Sequence, residues 1–212
     1  AWPTQPQWDA LSEQVGGQLS TPVPPFLADE ATRAEALSQI KNPFYIGDQP
    51  ALTQTSGYHG AWLSQPSARV VAARKSADVV AAVNFAREHR LRLVVKGGGH
   101  SYHGTSNAPD SLLIWTRAMK QVDLHDAFVP AGAPSAATGQ PAVSLGAGAM
   151  WIHAYDGVTT PPGRYVQGGG CTTVGVTGLV TGGGFGSFSK AHGTAPARLL
   201  GAEIVTADGQ LR

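Results

Sequence analysis

Two glycine-rich segments of this 212-residue chain each carry a side chain that can act as a nucleophile. The first, residues 96–104, holds His100, and the second, residues 168–175, holds Cys171. Glycines let the backbone approach an anionic group closely and expose its N–H donors. An imidazole and a thiol are among the side chains most able to attack an electrophilic ring. The two segments therefore indicate a site for an anionic organic group with two positions of covalent attachment.

Three sequence blocks in a fixed order carry a resemblance to one superfamily. They read VVKGGGHSY at residues 94–102, GGCTTVG at 169–175, and GGGFG at 182–186, the last continuing to LGAEIVTADG at 200–209. These blocks resemble the flavin-binding domain of the vanillyl-alcohol oxidase superfamily, in particular its berberine-bridge-enzyme-like branch. Each block alone is weak evidence, but their order and separation over about two thirds of the chain are specific.

The resemblance implies an α+β fold, a PCMH-type FAD-binding domain made of two α/β subdomains. We expect residues 1–66 to form a proline-rich arm with short helices and residues 67–212 to form this domain. In the resembled family, a substrate domain and a final segment that returns to the flavin follow this region. The chain thus resembles the N-terminal portion of a longer oxidoreductase, and we expect a second polypeptide to supply the substrate domain and the remaining FAD contacts.

The resemblance also implies that FAD is attached twice, through an 8α-histidyl bond to His100 and a 6-S-cysteinyl bond to Cys171. Attack by sulfur requires a thiolate, and we expect the backbone N–H groups of the loop, with Thr172 and Thr173, to lower the thiol pKa. Two simpler interpretations compete: a histidine that caps a turn, and a cysteine buried as a small apolar residue. Single attachment through His100 is the alternative to double attachment, and His103 is expected to be a pocket or surface residue.

The other residues of the blocks are expected to line the pyrophosphate and ribityl chain of FAD, with Ser187 as a further hydrogen-bonding residue. For the outer glycines, tight packing within the protein is an equally good explanation. Residues 182–186 lack the G-x-G-x-x-G spacing of a dinucleotide turn, which disfavours a Rossmann site. Besides His100 and Cys171, the predicted cofactor-binding residues are Lys96, Gly97, Gly98, Gly99, Ser101, Tyr102, Gly170, Thr172, Thr173, Gly175, Gly178, Gly183, Gly184, Phe185, Gly186 and Ile204.

Composition and missing motifs argue against other functions. A formal net charge of +1 with 14% charged residues gives no basic field to hold nucleic acid, and no apolar run is long enough to span a membrane. The G-x-S-x-G motif of the α/β-hydrolases does not occur. A zinc shell from His100, His103 and Cys171 would need a fourth ligand such as His192 or Asp110, so this metal site is the weaker alternative.

Apolar periodicity predicts the elements that must position the two nucleophiles. A strand at 68–72, a helix capped by Ser76 and a strand at 91–95 form a unit that delivers His100 to the edge of a sheet. The remaining predictions are a helix at 28–40, a loop at 45–60, strands at 112–115 and 142–146, a loop at 130–141, a helix through Trp151, and a strand at 202–206. A turn is predicted at 207–209 behind this last strand, and a partner strand is expected to follow the turn and to continue beyond Arg212.

The function implied by the resemblance is oxidation of a sugar-like or secondary-metabolite substrate, with hydride transfer from an alcohol or hemiacetal carbon to FAD. No catalytic base can be named, since that group is expected outside this sequence, and residues 195–199 replace the Asp-Asn pair of many relatives. The alternative is a non-catalytic subunit that holds FAD. The start at Ala1 without Met suggests an exported, periplasmic or extracellular protein, with the cytoplasm as the other possibility.

Overall fold

The computed structural model describes residues 2–212 and has a mixed α+β architecture. The chain divides into two compact units. The first comprises the residues up to Ala118 together with Ile204–Arg212, and the second comprises Met119–Glu203. Among the described residues, no helix has both the length and the apolar character needed to cross a membrane.

A four-stranded sheet forms the centre of the first unit. Its strands are β1 (Leu19–Ser20), β2 (Arg69–Ala72), β3 (Arg92–Lys96) and β4 (Ser111–Trp115), in the spatial order β1-β2-β4-β3. Strands β2, β4 and β3 are parallel, and β1 is antiparallel to β2. Leu112, Leu113 and Ile114 of β4 are fully buried, as expected for a central strand covered on both faces.

Four helices belong to the first unit: α1 (Gln5–Gln14), α2 (Glu30–Ser38), α3 (Pro43–Gly47) and α4 (Ser76–Glu88). The predicted helix at 28–40 is α2, whereas the loop predicted at 45–60 overlaps the end of α3. The predicted arm also contributes core residues, because Trp8 is buried with its ring centroid 4.9 Å from that of Phe85 on α4.

The strand-helix-strand unit predicted before His100 is confirmed, with one change at the helix start. Ser76 is the first helical residue and not the cap, which is Lys75. The buried carboxylate of Asp78 accepts hydrogen bonds from the backbone N–H groups of Arg74 at 2.8 Å and Lys75 at 3.3 Å. These two bonds place the helix start one residue earlier along the chain than the Ser76 pattern predicts.

The end of the chain pairs across the predicted turn at 207–209, although the strand predicted at 202–206 is reduced to an isolated bridge between Val205 and Leu211. Ile204 and Arg212 exchange backbone hydrogen bonds of 3.0 and 2.9 Å, and the N–H of Thr206 donates to the carbonyl of Gln210. Gly209 has a φ of +75°, which favours glycine and lets the chain reverse within four residues.

The second unit contains an antiparallel hairpin of β5 (Val122–Phe128) and β6 (Gln140–Leu145), with helices α5 (Trp151–Val158), α6 (Val176–Thr181) and α7 (Ser189–His192). The strand predicted at 142–146 corresponds to β6, and the predicted helix through Trp151 is α5. A buried core cluster of this unit is formed by Ala149, Trp151, Ala154 and Val176. Trp151 on α5 is also the residue against which the cysteine segment packs.

Candidate cofactor site

The histidine loop, residues 97–107, follows the carboxyl end of β3. Gly98 and Gly99 are buried and His100 is half-buried. Gly99 has a φ of +76°, and a Cβ there would lie 3.5 Å from Cα of Thr53. A contact at 3.5 Å is an ordinary one, so the positive φ of the turn before His100, and not the approach of residue 53, favours glycine.

Ser101 closes the outer part of the histidine loop. Its Oγ is 2.7 Å from Oγ1 of Thr105 and accepts hydrogen bonds from the backbone N–H groups of His103 at 3.2 Å and Thr105 at 3.4 Å. The hydroxyl therefore shapes the loop from within. Its predicted contact with the cofactor stays a prediction.

Lys96, at the end of β3, is turned toward the N-terminal segment. Its side chain is 3% exposed, and Nζ donates to the backbone carbonyls of Pro50 at 2.6 Å and Leu52 at 2.8 Å. Burial lowers the pKa of this amine from 10.5 to about 7. The amine thus joins the base of the histidine loop to residues that precede it by more than forty positions.

Aromatic rings surround the exposed end of the loop. Tyr102 is 68% exposed, its ring centroid lies 5.7 Å from that of Tyr58, and its carbonyl accepts a 2.9 Å hydrogen bond from the indole N–H of Trp62. His103 is exposed and lines an open cavity of about 510 Å³ beside Arg92 on β3. The prediction that His103 is a pocket or surface residue is confirmed.

Cys171 is exposed, and its surroundings favour the thiolate. Its Sγ lies 3.5 Å from Oγ1 of Thr173. The pKa of the thiol is lowered, first by the hydrogen bond with the Thr173 hydroxyl and then by the backbone N–H groups of Thr173 and Val174, while partial burial opposes them. The predicted direction of this shift is confirmed, although Thr172 does not contribute to it. Because the thiolate is the nucleophilic form, this position is suited to bond formation at sulfur.

The first turn of α5 holds the cysteine segment by its backbone. The N–H of Ile152 donates to the carbonyl of Thr172 at 3.0 Å, and the N–H of Trp151 donates to the carbonyl of Val174 at 3.1 Å. Gly175 pairs with Met150 in an isolated antiparallel bridge and caps α6. The free N–H groups of a helix start thereby fix the segment that carries the thiol.

The glycines of the second unit fall into two groups. An added Cβ would lie 2.2 Å from the Trp151 ring at Gly168, 2.2 Å from the Leu179 side chain at Gly184, and 1.8 Å from the Gly168 carbonyl oxygen at Gly186. Packing within the protein therefore accounts for these glycines, including the predicted cofactor residues Gly184 and Gly186.

The second group of glycines borders open space. Apart from the adjacent residues and, at Gly178, the backbone of its own helix, no protein atom lies within 4 Å of an added Cβ at Gly170, Gly178 or Gly183. Phe185, beside this group, is 79% exposed. A flat, partly anionic group can therefore approach the backbone at these three positions, and the residues present fit the pyrophosphate and ring system of a flavin nucleotide.

Sequence reasoning missed several residues that shape these segments. Gln167 is buried and donates from Nε2 to Oγ of Ser189 at 2.9 Å and to the carbonyl of Gly193 at 2.7 Å. Tyr165 packs its ring against Phe188, with centroids 5.5 Å apart. No motif in the sequence marks Gln167 or Tyr165. The one signal that could have pointed to such residues is an aromatic side chain within a polar loop, as at Tyr58 and Trp62.

Two further predictions concern Ile204 and the alternative zinc site. Ile204 is exposed and belongs to the first unit, where its backbone pairs with Arg212. Within residues 2–212, no three or more His, Cys, Asp or Glu side chains are grouped to hold a metal ion, so the structure does not favour the zinc alternative.

Comparison with known proteins places the chain in a family. The family described as FAD binding domain matches residues 67–212. FAD-linked oxidoreductase malF of Malbranchea aurantiaca is 31% identical over 98% of this chain and 39% of its own length. VAO-type flavoprotein oxidase VAO615 of Thermothelomyces thermophilus is 32% identical over 99% of this chain and 40% of its own length.

A solved structure supports the same assignment. The crystal structure of VAO-type flavoprotein MtVAO615 from Myceliophthora thermophila C1 matches with a TM-score of 0.85 and 28% identity, covering 100% of this chain and 42% of that one. The predicted α+β, PCMH-type fold is thereby confirmed, and the chain spans about two fifths of the length of these relatives. The chain belongs to the FAD-binding domain family, in the form found in VAO-type flavoproteins and FAD-linked oxidoreductases.

Proposed function

We propose that this chain is the cofactor-holding part of an FAD-linked oxidoreductase of the berberine-bridge-enzyme-like type, with FAD attached covalently at His100 and Cys171. The observation that carries the proposal is the exposed thiol of Cys171, whose lowered pKa favours the thiolate next to glycines that border open space. When bound, FAD supplies a ring that accepts a hydride from the substrate. This chemistry is general to FAD-linked oxidoreductases, the family to which the relatives belong.

Cys171 has the clearer chemical role of the two proposed attachment residues. The hydroxyl of Thr173 stabilises the negative charge on Sγ, with help from the backbone N–H groups of Thr173 and Val174. The thiol therefore gives up its proton more readily than an ordinary cysteine does. Sγ would replace the hydrogen at C6 of the flavin ring, and the proton of that C–H bond and two electrons would pass to dioxygen. His100 provides a ring nitrogen for the 8α-methyl group from a loop whose backbone is fixed on both sides.

The glycines that border open space have a second role, in binding the extended part of FAD. At Gly170, Gly178 and Gly183 the backbone can come close to the ribityl chain and pyrophosphate without interference from a side chain. The exposed hydroxyls of Thr172 and Ser187 lie in the same stretch of sequence and can donate hydrogen bonds to phosphate oxygens. These residues would bind and orient the cofactor without taking part in the reaction.

The substrate we propose is a sugar-like or secondary-metabolite alcohol or hemiacetal, and the base that deprotonates its hydroxyl lies outside this sequence. A second polypeptide or a further region of the protein would supply that base and the substrate domain. The alternative, a non-catalytic subunit that holds FAD, has less support because relatives over nearly the whole chain are named as an oxidoreductase and an oxidase.

Intact mass and absorption spectra of the denatured protein test the attachment. We expect the mass of one FAD above that of the polypeptide and a flavin spectrum that survives denaturation. The variant Cys171→Ala should keep the flavin through His100 with an altered spectrum. Colourless denatured protein at its bare mass would refute covalent attachment.

Matched variants assign the histidine. In the double variant Cys171→Ala/His100→Ala, denaturation should release all flavin, whereas Cys171→Ala/His103→Ala should retain it, because His103 is an exposed imidazole of the same loop. If Cys171→Ala by itself releases all flavin, the assignment of His100 is wrong. Turnover of sugars and alcohols by the full-length protein under oxygen then separates an oxidoreductase from a subunit that only holds FAD.

A further inference from the structure

A segment that lies before the family match holds the inner half of the histidine loop. Residues 50–64, called the strap from here on, precede the matched residues 67–212. Within the strap, the carbonyls of Pro50 and Leu52 accept hydrogen bonds from Nζ of Lys96 at 2.6 and 2.8 Å. The N–H of Gln54 donates to the carbonyl of Gly99 at 2.9 Å, directly before His100. Three bonds therefore join the strap to the backbone and side chain that lead into the candidate attachment residue.

The strap also holds the outer half of the loop, through Trp62. The indole N–H donates to the carbonyl of Tyr102 at 2.9 Å. A Cβ on Gly104 would lie only 2.7 Å from the Trp62 ring, so the indole packs directly on the loop backbone. Beyond this contact, the side-chain amide of Asn107 donates to the carbonyl of Ala51 at 3.2 Å. His100 thus lies between two groups of contacts that both come from the strap.

The strap has internal bonds that give it a defined shape. Gly57 and Leu63 form an antiparallel bridge, and the N–H of Ser64 donates to the carbonyl of Ser56 at 2.8 Å. The hydroxyl of Thr53 is 2.8 Å from Oγ of Ser64, so the two ends of this turn are also tied together. The turn that presents Trp62 is therefore organised independently of the histidine loop, as a positioning element must be.

We propose that the strap fixes the histidine loop in the conformation required for flavin attachment at His100, with Trp62 as the positioning residue for the outer half. This inference rests on the proposed attachment at His100. The attachment forms a C–N bond in place of one C–H bond of the ring methyl group. One proton leaves the imidazole and one leaves the methyl group, and these two protons and two electrons pass to dioxygen, which is released as hydrogen peroxide. Trp62 takes no part in these bond changes and acts only through the position of the loop.

The rate of covalent attachment in the full-length apoprotein mixed with FAD in air tests the proposal, on a Cys171→Ala background so that only His100 reacts. We expect Trp62→Ala to slow attachment by about 10- to 100-fold, since a small displacement of a reacting group has effects of this size. Trp62→Phe, which keeps an aromatic ring but lacks the N–H, should be slowed less. The affinity for FAD before attachment should change little, because Trp62 acts on the loop and not on the cofactor.

Trp2→Ala serves as the matched control, because Trp2 is a partly exposed tryptophan whose ring contacts Trp8, at 5.7 Å between centroids. This variant should attach flavin at the parent rate. If folded Trp62→Ala and Trp62→Phe also attach flavin at the parent rate, the positioning role of Trp62 is refuted. Equal losses of attachment and of FAD affinity would also contradict the proposal, because they would indicate general damage to the fold.

A failure of the proposed attachment can be distinguished from a failure of this inference. If the parent protein binds FAD without any covalent bond, the attachment at His100 is wrong, and hydrogen exchange then tests the strap by itself. In that case Trp62→Ala should speed exchange at the amides of His103 and Thr105, which Ser101 binds, while Trp2→Ala should not. Unchanged exchange at these amides in Trp62→Ala would refute the role of the strap.

Discussion

The histidine loop and the cysteine segment are held in place in different ways. The histidine loop is bound by residues 50–64, which are remote in sequence. Trp62 of this segment donates to the loop, and Lys96 at the base of the loop donates to the carbonyls of the segment. The cysteine segment is held by the first turn of α5 and by glycine contacts so close that no side chain fits. Side chains therefore supply most of the contacts that position His100, whereas backbone hydrogen bonds and close packing at glycine supply most of those that position Cys171.

This difference predicts which substitutions each region tolerates. In the histidine loop, which side chains hold in place, removing one of them loosens the loop but leaves the neighbouring strands intact. Where backbone meets backbone, adding even a methyl group forces the chain apart, because the interior has no free volume to accept it. The histidine loop should respond most to deletions of atoms and the cysteine segment to additions.

The largest effect is expected from Gly186→Ala in the second unit. Its Cβ would come 1.8 Å from the carbonyl oxygen of Gly168, a backbone atom that cannot rotate away. We expect the free energy of unfolding of this unit to fall by about 3 kcal/mol, the upper end for overpacking. Urea titration followed by circular dichroism measures this change.

Gly178→Ala is the control for that prediction. No atom lies within 4 Å of an added Cβ at Gly178, which is inside α6, so the apoprotein should be unchanged or stabilised by about 1 kcal/mol. If FAD passes close to this backbone as proposed, the same variant binds FAD more weakly. Equal destabilisation by the two variants would contradict the division of the glycines into packed and open groups.

The next effect is a pH dependence of stability in the first unit, due to Lys96. Burial lowers the pKa of its amine in the folded state to about 7, whereas the unfolded chain keeps the ordinary 10.5. Between these values the unfolded state binds the extra proton, so this group stabilises the fold as pH rises above about 7, by about 1.4 kcal/mol per pH unit. Denaturant titrations from pH 6 to pH 9 should therefore show the parent gaining stability relative to Lys96→Met.

Lys120→Met, which removes an exposed lysine, should follow the parent through the same titration. Below the folded pKa, the difference between the parent and Lys96→Met should become constant, since both states of the parent are then protonated. A constant difference over the whole range would show that the amine of Lys96 does not lose its proton in the folded protein near neutral pH.

Strong apolar patterns made part of the fold predictable from the sequence. The segments of β2, β3 and β4 are apolar runs, and that of α4 has apolar residues at helical spacing. All four elements lie within a residue or two of their predicted bounds. β5 was missed because most of its residues are exposed, which leaves no clear alternation of apolar side chains. The reversal at Gly209 follows the turn signal at 207–209, whereas the strand predicted at 202–206 is reduced to one bridge between Val205 and Leu211.

The candidate site was only partly predictable, because sequence identifies residue types and not the neighbours that give them a role. The blocks pointed to His100 and Cys171, but the same GGGFG motif contains Gly183, which borders open space, and Gly186, which packs on backbone. The role of Trp62 was also hidden. It depends on a contact with Gly104, which lies more than forty residues further along the chain.

The smallest effect we predict concerns the thiol itself and tests whether the cysteine segment is organised locally. Thr173→Val removes the hydroxyl that is the largest cause of the lowered pKa of Cys171, so the thiol pKa should rise. At pH 7 the rate of alkylation by iodoacetamide should fall by about two- to fivefold, because less of the sulfur is thiolate. Thr172→Val is the control, since the Thr172 hydroxyl does not contribute to the shift, and it should react at the parent rate. Equal slowing by the two variants would mean that general polarity of the segment, and not the single hydrogen bond between the Thr173 hydroxyl and Sγ, sets the reactivity of Cys171.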